Sequence, residues 1–268
     1  MRQLYIIIAL SLLIIPTDMW GGKRNSKHDK NAVGVMQIEP DPVARKTKPD
    51  SRPQPIVQPH LSGVSYRQGN ALHGIDVSHY QGRIDWTQVA HDKKVGYVYL
   101  KATEGSNNID DTYAYNLREA KRAGLLVGSY HFYRANVSPE VQFRNFMSVV
   151  DVKRQDLLPI IDVEAVNGVP MATFHARLEQ LLKLVTQAFG RRPIIYTGKN
   201  FYNKHMCGGS YRNYQFMIAA YTFDEPMLYN NDDYIIWQYS ASGRIRGIRG
   251  NVDQSRFVGR HTLKEILF

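Results

Sequence analysis

The run LLPIIDVEAV, residues 157–166, sets two carboxylates, Asp162 and Glu164, one residue apart among apolar neighbours. Side chains alternate along a strand, so these two share a face while Val163 takes the other. Burying a carboxylate is costly without a partner or a shifted pKa, and like charges side by side push one of the pair upward. A protonated acid beside an ionised one is what cleavage of a glycosidic bond requires. One group protonates the leaving oxygen while the other stabilises the charge that develops on the sugar. Glu164, longer and nearer the strand end, is the better acid, and Asp162 the better stabiliser. Asp76 is placed in the same way on the first strand of the domain. A salt bridge or a turn cap would account for any one of these acids, but not readily for all three. No histidine pair or multi-Asp loop accompanies them, so neither a metal nor a cofactor is expected.

Such acids need elements that hold them together. After residue 72 the chain alternates short apolar strands, HGIDVS (73–78), VGYVYLKA (95–102), LLVGSYHFY (125–133), LLPIIDVE (157–164), RPIIYTG (192–198), FMIAAY (216–221) and YIIWQYS (234–240), with amphipathic stretches. The clearest helix runs from Met171 to Phe189, where Leu178, Leu181, Leu182, Val185 and Phe189 recur at helical spacing between Pro170 and Gly190. Beyond Tyr196 the helical periodicity fades into turn-rich loops. An α/β fold follows, a parallel β/α barrel with an irregular last third. In such barrels chemistry gathers at the C-terminal strand ends, where Asp76, Lys101, Tyr130, Phe132, Asp162, Glu164, Tyr196 and Trp237 fall. The aromatics among them are candidate stacking platforms for sugar rings, although each taken singly reads more readily as a core residue, since strands favour aromatics. His131, one residue out of phase, is expected in the core.

Of 268 residues, 43% are hydrophobic, enough for a sizeable core. Residues 1–22 carry an apolar stretch at 4–15, about half the roughly 20 residues of a membrane helix, and read as an export signal or, uncleaved, a membrane anchor. Residues 23–70, rich in proline and lysine, read as a disordered linker spanning about 40 Å as a flexible coil. Residues 71–268 are the catalytic domain. Half of the net charge of +10 lies before His73, so attraction to an anionic partner is expected. Export argues against nucleic acid as that partner. Localisation would be periplasmic, extracellular or at the outer face of the cytoplasmic membrane, with attachment through residues 4–15 if the segment is retained. The lone Cys207 excludes intrachain disulfides and reads as a small packed residue.

The segments GIDVSHYQGRIDW, YLKATEG, GSYHFY, LPIIDVE, RPIIYTG, IIWQYS and GNVDQSRF, in this order, resemble glycoside hydrolase family 25, the Chalaropsis-type lysozymes, over residues 73–260. The resemblance implies a modified TIM-like barrel of eight strands with helices around about the first five. It also implies N-acetylmuramidase activity on peptidoglycan glycan strands, at the β-1,4 bond between N-acetylmuramic acid and N-acetylglucosamine. By motif position Glu164 corresponds to the general acid, Asp162 to its D-x-E neighbour, Asp76 to the first-strand acid and Asp253 to the acid of the closing VD motif. Tyr130, Phe132, Tyr196 and Trp237 correspond to groove-lining positions and Lys101 to a polar position near the floor. Ser255 stands where the closing motif often carries another small residue or Asn. The resemblance implies either a retaining, substrate-assisted mechanism, with Asp162 on the acetamido group, or inversion with Asp76 or Asp253 as base. A non-catalytic wall-binding module on the same barrel and a hydrolase of another N-acetylated polymer such as chitin are the alternatives. A monomer is expected.

Overall fold

The computed structural model describes residues 73–268. The export segment and linker expected at 1–22 and 23–70 lie outside these residues. Among the described residues nine strands occur: β1 (His73–Val77), β2 (Val95–Glu104), β3 (Asn108–Ile109), β4 (Leu126–Phe132), β5 (Ile160–Asp162), β6 (Ile194–Gly198), β7 (Phe216–Ala219), β8 (Ile236–Gly243) and β9 (Val252–Phe257). The short β3 forms only a hairpin with the end of β2. The other eight close a barrel in the order β1-β2-β4-β5-β6-β7-β8-β9 and back to β1. All neighbours are parallel except β8–β9 and β9–β1. The irregularity expected in the last third of the parallel barrel includes an antiparallel last strand. The loop between β8 and β9, residues 244–251, is too short to hold a helical crossover, so the chain turns back on itself.

Helices α1 (Trp86–His91), α2 (Tyr113–Arg122), α3 (Pro139–Met147), α4 (Met171–Phe189) and the three-residue α5 (Lys199–Phe201) follow the first five barrel strands in turn. No α-helix follows the sixth or seventh, as the fading periodicity predicts. The helix α4 spans its predicted bounds. Phe174, Leu178, Leu181, Leu182, Val185 and Phe189 form its buried stripe, and Gly190 ends it in the left-handed region at φ 69°. Each such burial contributes about 1.5–3 kcal/mol. The helix α3 starts on Ser138, whose side chain accepts from the Val141 amide, with Pro139 in its first turn.

Strand alternation divides the core in two. Ile161, Val163, Ile195, Ile218 and Trp237 point outward into the layer beneath the helices. Tyr97, Tyr99, Ile160, Ile194, Met217 and Ile236 point inward and fill the barrel. Two glycines make room for the inner tyrosines. A Cβ on Gly74 would overlap the Tyr97 ring, and one on Gly128 would overlap Tyr99 and stand 3.0 Å from Leu157 Cβ. The C-terminal segment seals the far end, with the Leu158 amide donating to the Ile266 carbonyl at 2.8 Å.

Candidate active site

The inward residues turn polar where the strands end. Ile160 lies at the floor, Asp162 stands above it, only 7% exposed, and Glu164 lies beyond the strand, exposed at the mouth. Val163 still donates its amide to the Tyr196 carbonyl at 2.8 Å, which extends the alternation past the formal end of β5 and keeps both acids on one face. They line a cavity of about 190 Å³ with Asp76, Asp253, Lys101, Tyr130, Phe132 and Tyr196. Eight of the nine residues expected there thus meet in one place. The exception is Trp237, which is a correction. On β8 it is Gln238 that faces inward, while the Trp237 ring lies in the outer layer. Its Nε1 donates to the Ala220 carbonyl at 2.7 Å, and the Arg256 guanidinium lies 4.8 Å above the ring.

Gln238, buried and missed in the sequence, organises one side of the cavity. Its Nε2 donates to Asp76 Oδ1 at 3.0 Å and Oδ2 at 3.2 Å. Its Oε1 accepts from Tyr196 at 2.9 Å and from Tyr221 at 3.0 Å. Alternation with Trp237 in the run IIWQYS was the available signal. Asp76 and Asp253 lie directly opposite each other across the antiparallel β1–β9 pair. Burial and the charge of Asp253 push Asp76 well above the carboxylate range, and burial raises Asp253 as well. The two carboxyls titrate as a pair, both raised by burial.

The opposite wall depends on an irregularity. The β2–β4 register slips between Lys101 and Thr103, so Ala102 is an extra residue in β2. The bulge brings Lys101 and Glu104 to one side, where Lys101 Nζ donates to Glu104 Oε2 at 2.7 Å. Arg134 Nε donates to the other oxygen at 2.9 Å. Burial works against ionising Glu104, yet the bonds from Lys101 and Arg134 hold it below its usual range. Phe132 lies under both cations, 5.4 Å from Lys101 Nζ and 4.6 Å from the Arg134 guanidinium. His131 points outward and is fully buried, bonded to Thr103 Oγ1 at 2.7 Å and Gln142 Oε1 at 3.1 Å, as expected of a core histidine.

The D-x-E pair differs from expectation in one respect. Burial, the charge of Glu164 and that of Asp76 push Asp162 well upward. Glu164 is raised too, by burial and then by Asp253, with Arg134 and Lys101 opposing. Asp162 lies deeper than Glu164 and meets the larger desolvation penalty. Its Oδ1 is buried and has no hydrogen-bond partner. Tyr80, 81% exposed, stands at the rim on a loop fixed by Ser78 and Gln81, and sequence reasoning overlooked it.

Residues 75–248 match the sequence pattern of glycosyl hydrolases family 25. The Escherichia coli K12 protein YegX is 36% identical over 201 residues, covering 73% of this chain and 72% of YegX. Lysozyme M1 of Streptomyces globisporus is 32% identical over 212 residues, 71% of this chain and 69% of that enzyme. The crystal structure of the bacterial lysozyme from Streptomyces coelicolor superposes with a TM-score of 0.63 at 31% identity, covering 72% of this chain and 94% of that one. With its closed eight-stranded mixed barrel and a mouth lined by acids, the chain belongs to glycosyl hydrolases family 25 and is a glycoside hydrolase of the lysozyme kind.

Proposed function

We propose that this lysozyme cleaves the β-1,4 bond between N-acetylmuramic acid and N-acetylglucosamine in peptidoglycan, with Glu164 as acid and then base and Asp162 on the substrate's acetamido group. The observation that carries this reading is the buried, unpartnered Asp162 Oδ1 in the cavity that Glu164 also lines. An acceptor left bare in a buried site is costly, and an amide N–H from the substrate would satisfy it. That donor, together with Lys101, favours the carboxylate form of Asp162, whose charge then keeps the proton on Glu164.

Glu164 donates its proton to the leaving oxygen as the acetamido oxygen attacks the anomeric carbon, closing a ring. Asp162 holds the acetamido N–H and offsets the positive charge formed there. Water then opens the ring, giving its proton to Glu164. Two displacements at one carbon retain its configuration. Asp76, buried with both oxygens bound by Gln238, is poorly suited to act as the base that inversion needs. We further propose export through residues 1–22, placing the enzyme outside the cytoplasmic membrane, cleaved or anchored.

Digestion of purified peptidoglycan by the full chain, wild type beside Glu164→Gln, tests the assignment through the new reducing ends. Muramic acid ends in the β configuration from the wild type alone, with the variant's circular dichroism unchanged, are expected. Activity retained in Glu164→Gln would remove it as the acid. No ends from either protein would indicate a wall-binding module, and cleavage of chitin alone another substrate.

A further inference from the structure

A second cavity, about 820 Å³, opens on the outer flank of the barrel and shares none of the residues of the acidic one. Three chain segments build it: the loop leading into α1, one face of α2, and the loop between β8 and β9. Each contributes an exposed arginine, Arg83, Arg122 and Arg249 respectively.

The acids of this cavity are already engaged. Asp85 accepts from the Gln88 amide at 3.1 Å and from its side chain at 2.8 Å. Glu119 accepts from Arg118 Nε at 2.7 Å and lies 4.0 Å from Arg122. Arg83 and Arg249 have no carboxylate partner among the described residues.

Arg83 is held by an aromatic ring, and the loop bearing Arg249 is held by its backbone. The guanidinium groups of Arg83 and Arg118 lie 4.8 Å and 5.6 Å from the centre of the Tyr115 ring, and the Tyr115 hydroxyl donates to the Ile84 carbonyl at 3.1 Å. The loop bearing Arg249 is anchored by Ile245 and Ile248, which pack on the core, and by a 2.9 Å bond from the Asp85 amide to the Gly247 carbonyl. Gly247 has φ 95°, and a Cβ there would overlap the Asp85 carbonyl, so only glycine lets the loop close onto α1. Guanidinium forks from three elements line one cavity and offer paired donors to phosphate oxygens, and the Arg83 fork is already stacked on Tyr115.

We propose that this flank cavity binds the phosphodiester backbone of an anionic surface polymer, holding the enzyme on its wall while the mouth of the barrel works. A cavity of 820 Å³ exceeds one phosphate severalfold, which favours a chain over a free ion. Nucleic acid has the same linkage but also needs aromatic faces for its bases. Here Tyr115 is covered by its arginines and Trp86 is buried.

The test is titration of the full chain with a poly(glycerol phosphate) chain at several salt concentrations. Arg83→Gln/Arg249→Gln should weaken binding about tenfold and lower the slope of log K against log salt by about 1.5. The charge-matched control Lys153→Gln/Lys183→Gln should stay within about twofold of wild type, and both variants should keep the wild-type rate on short soluble glycan. Equal losses in the two variants would reduce the effect to net charge and overturn the site. Tighter binding of oligo-dT or poly-L-glutamate of matched charge would overturn the choice of ligand.

Discussion

Asp162 shows the cost of an active site in a single side chain. Its carboxyl is buried, one oxygen has no partner, and burial, Glu164 and Asp76 all oppose its ionisation. A carboxyl whose folded pKa is raised contributes stability that is fully present below its unfolded value, near 3.8, and is lost as pH rises through the folded value. Near neutral pH the wild-type chain should therefore carry a penalty that Asp162→Asn relieves. The variant is expected to melt higher at pH 7, by about 2–4 °C per kcal/mol relieved, and to show no gain at pH 3.5, while its muramidase turnover falls at least a hundredfold. Differential scanning calorimetry at the two pH values, beside a turnover assay, checks both halves. A gain of equal size at both pH values would mean that packing, not charge, accounts for it.

At the scale of the element, strand period decided what could be read from the sequence. Asp162 and Glu164 were legible because a period of two puts them on one face, and Met171–Phe189 because its apolar stripe repeats at helical spacing. Trp237 was misplaced by one position. An aromatic near a strand end looks like a sugar platform, but the inward residue is its neighbour Gln238. The pairing of Lys101 with Glu104 was not legible, because it depends on a bulge at Ala102 that no local composition announces. The reversal of β9 was hidden for a similar reason, since alternation looks the same in either direction. Glycines inside strands do leave a trace. Gly128 lies on β4 where Tyr99 from β2 crosses the barrel interior, so Gly128→Ala should force that ring or Leu157 aside. The expected loss is about 1–3 kcal/mol, read as a lower urea midpoint at unchanged m.

At the scale of the molecule, the described residues form a closed catalytic unit, preceded in sequence by a basic segment. Every barrel strand lies within residues 73–257, and the C-terminal segment plugs the end opposite the acids. A chain starting at residue 71 should accordingly fold and cleave short soluble glycans at the full-length rate. Its rate on intact wall should depend less on ionic strength, because half of the net +10 has been removed. Rates at 20 mM and 300 mM salt for the two lengths provide the comparison, and a shortened chain that fails to melt cooperatively would place structural work in the leader. Closure of the barrel also has a temporal side. Asp76 is made early in the domain and Asp253 near its end, yet they meet on adjacent strands. A ribosome must therefore synthesise nearly the entire domain before the site can exist. Until β9 emerges, the chain is an open sheet with β1 and β8 as free edges, and Asp76 lacks its partner Asp253. Hydrolytic capacity thus arrives late in synthesis and all at once, and a chain cut short before residue 253 is no weakened enzyme but a sheet with two sticky margins.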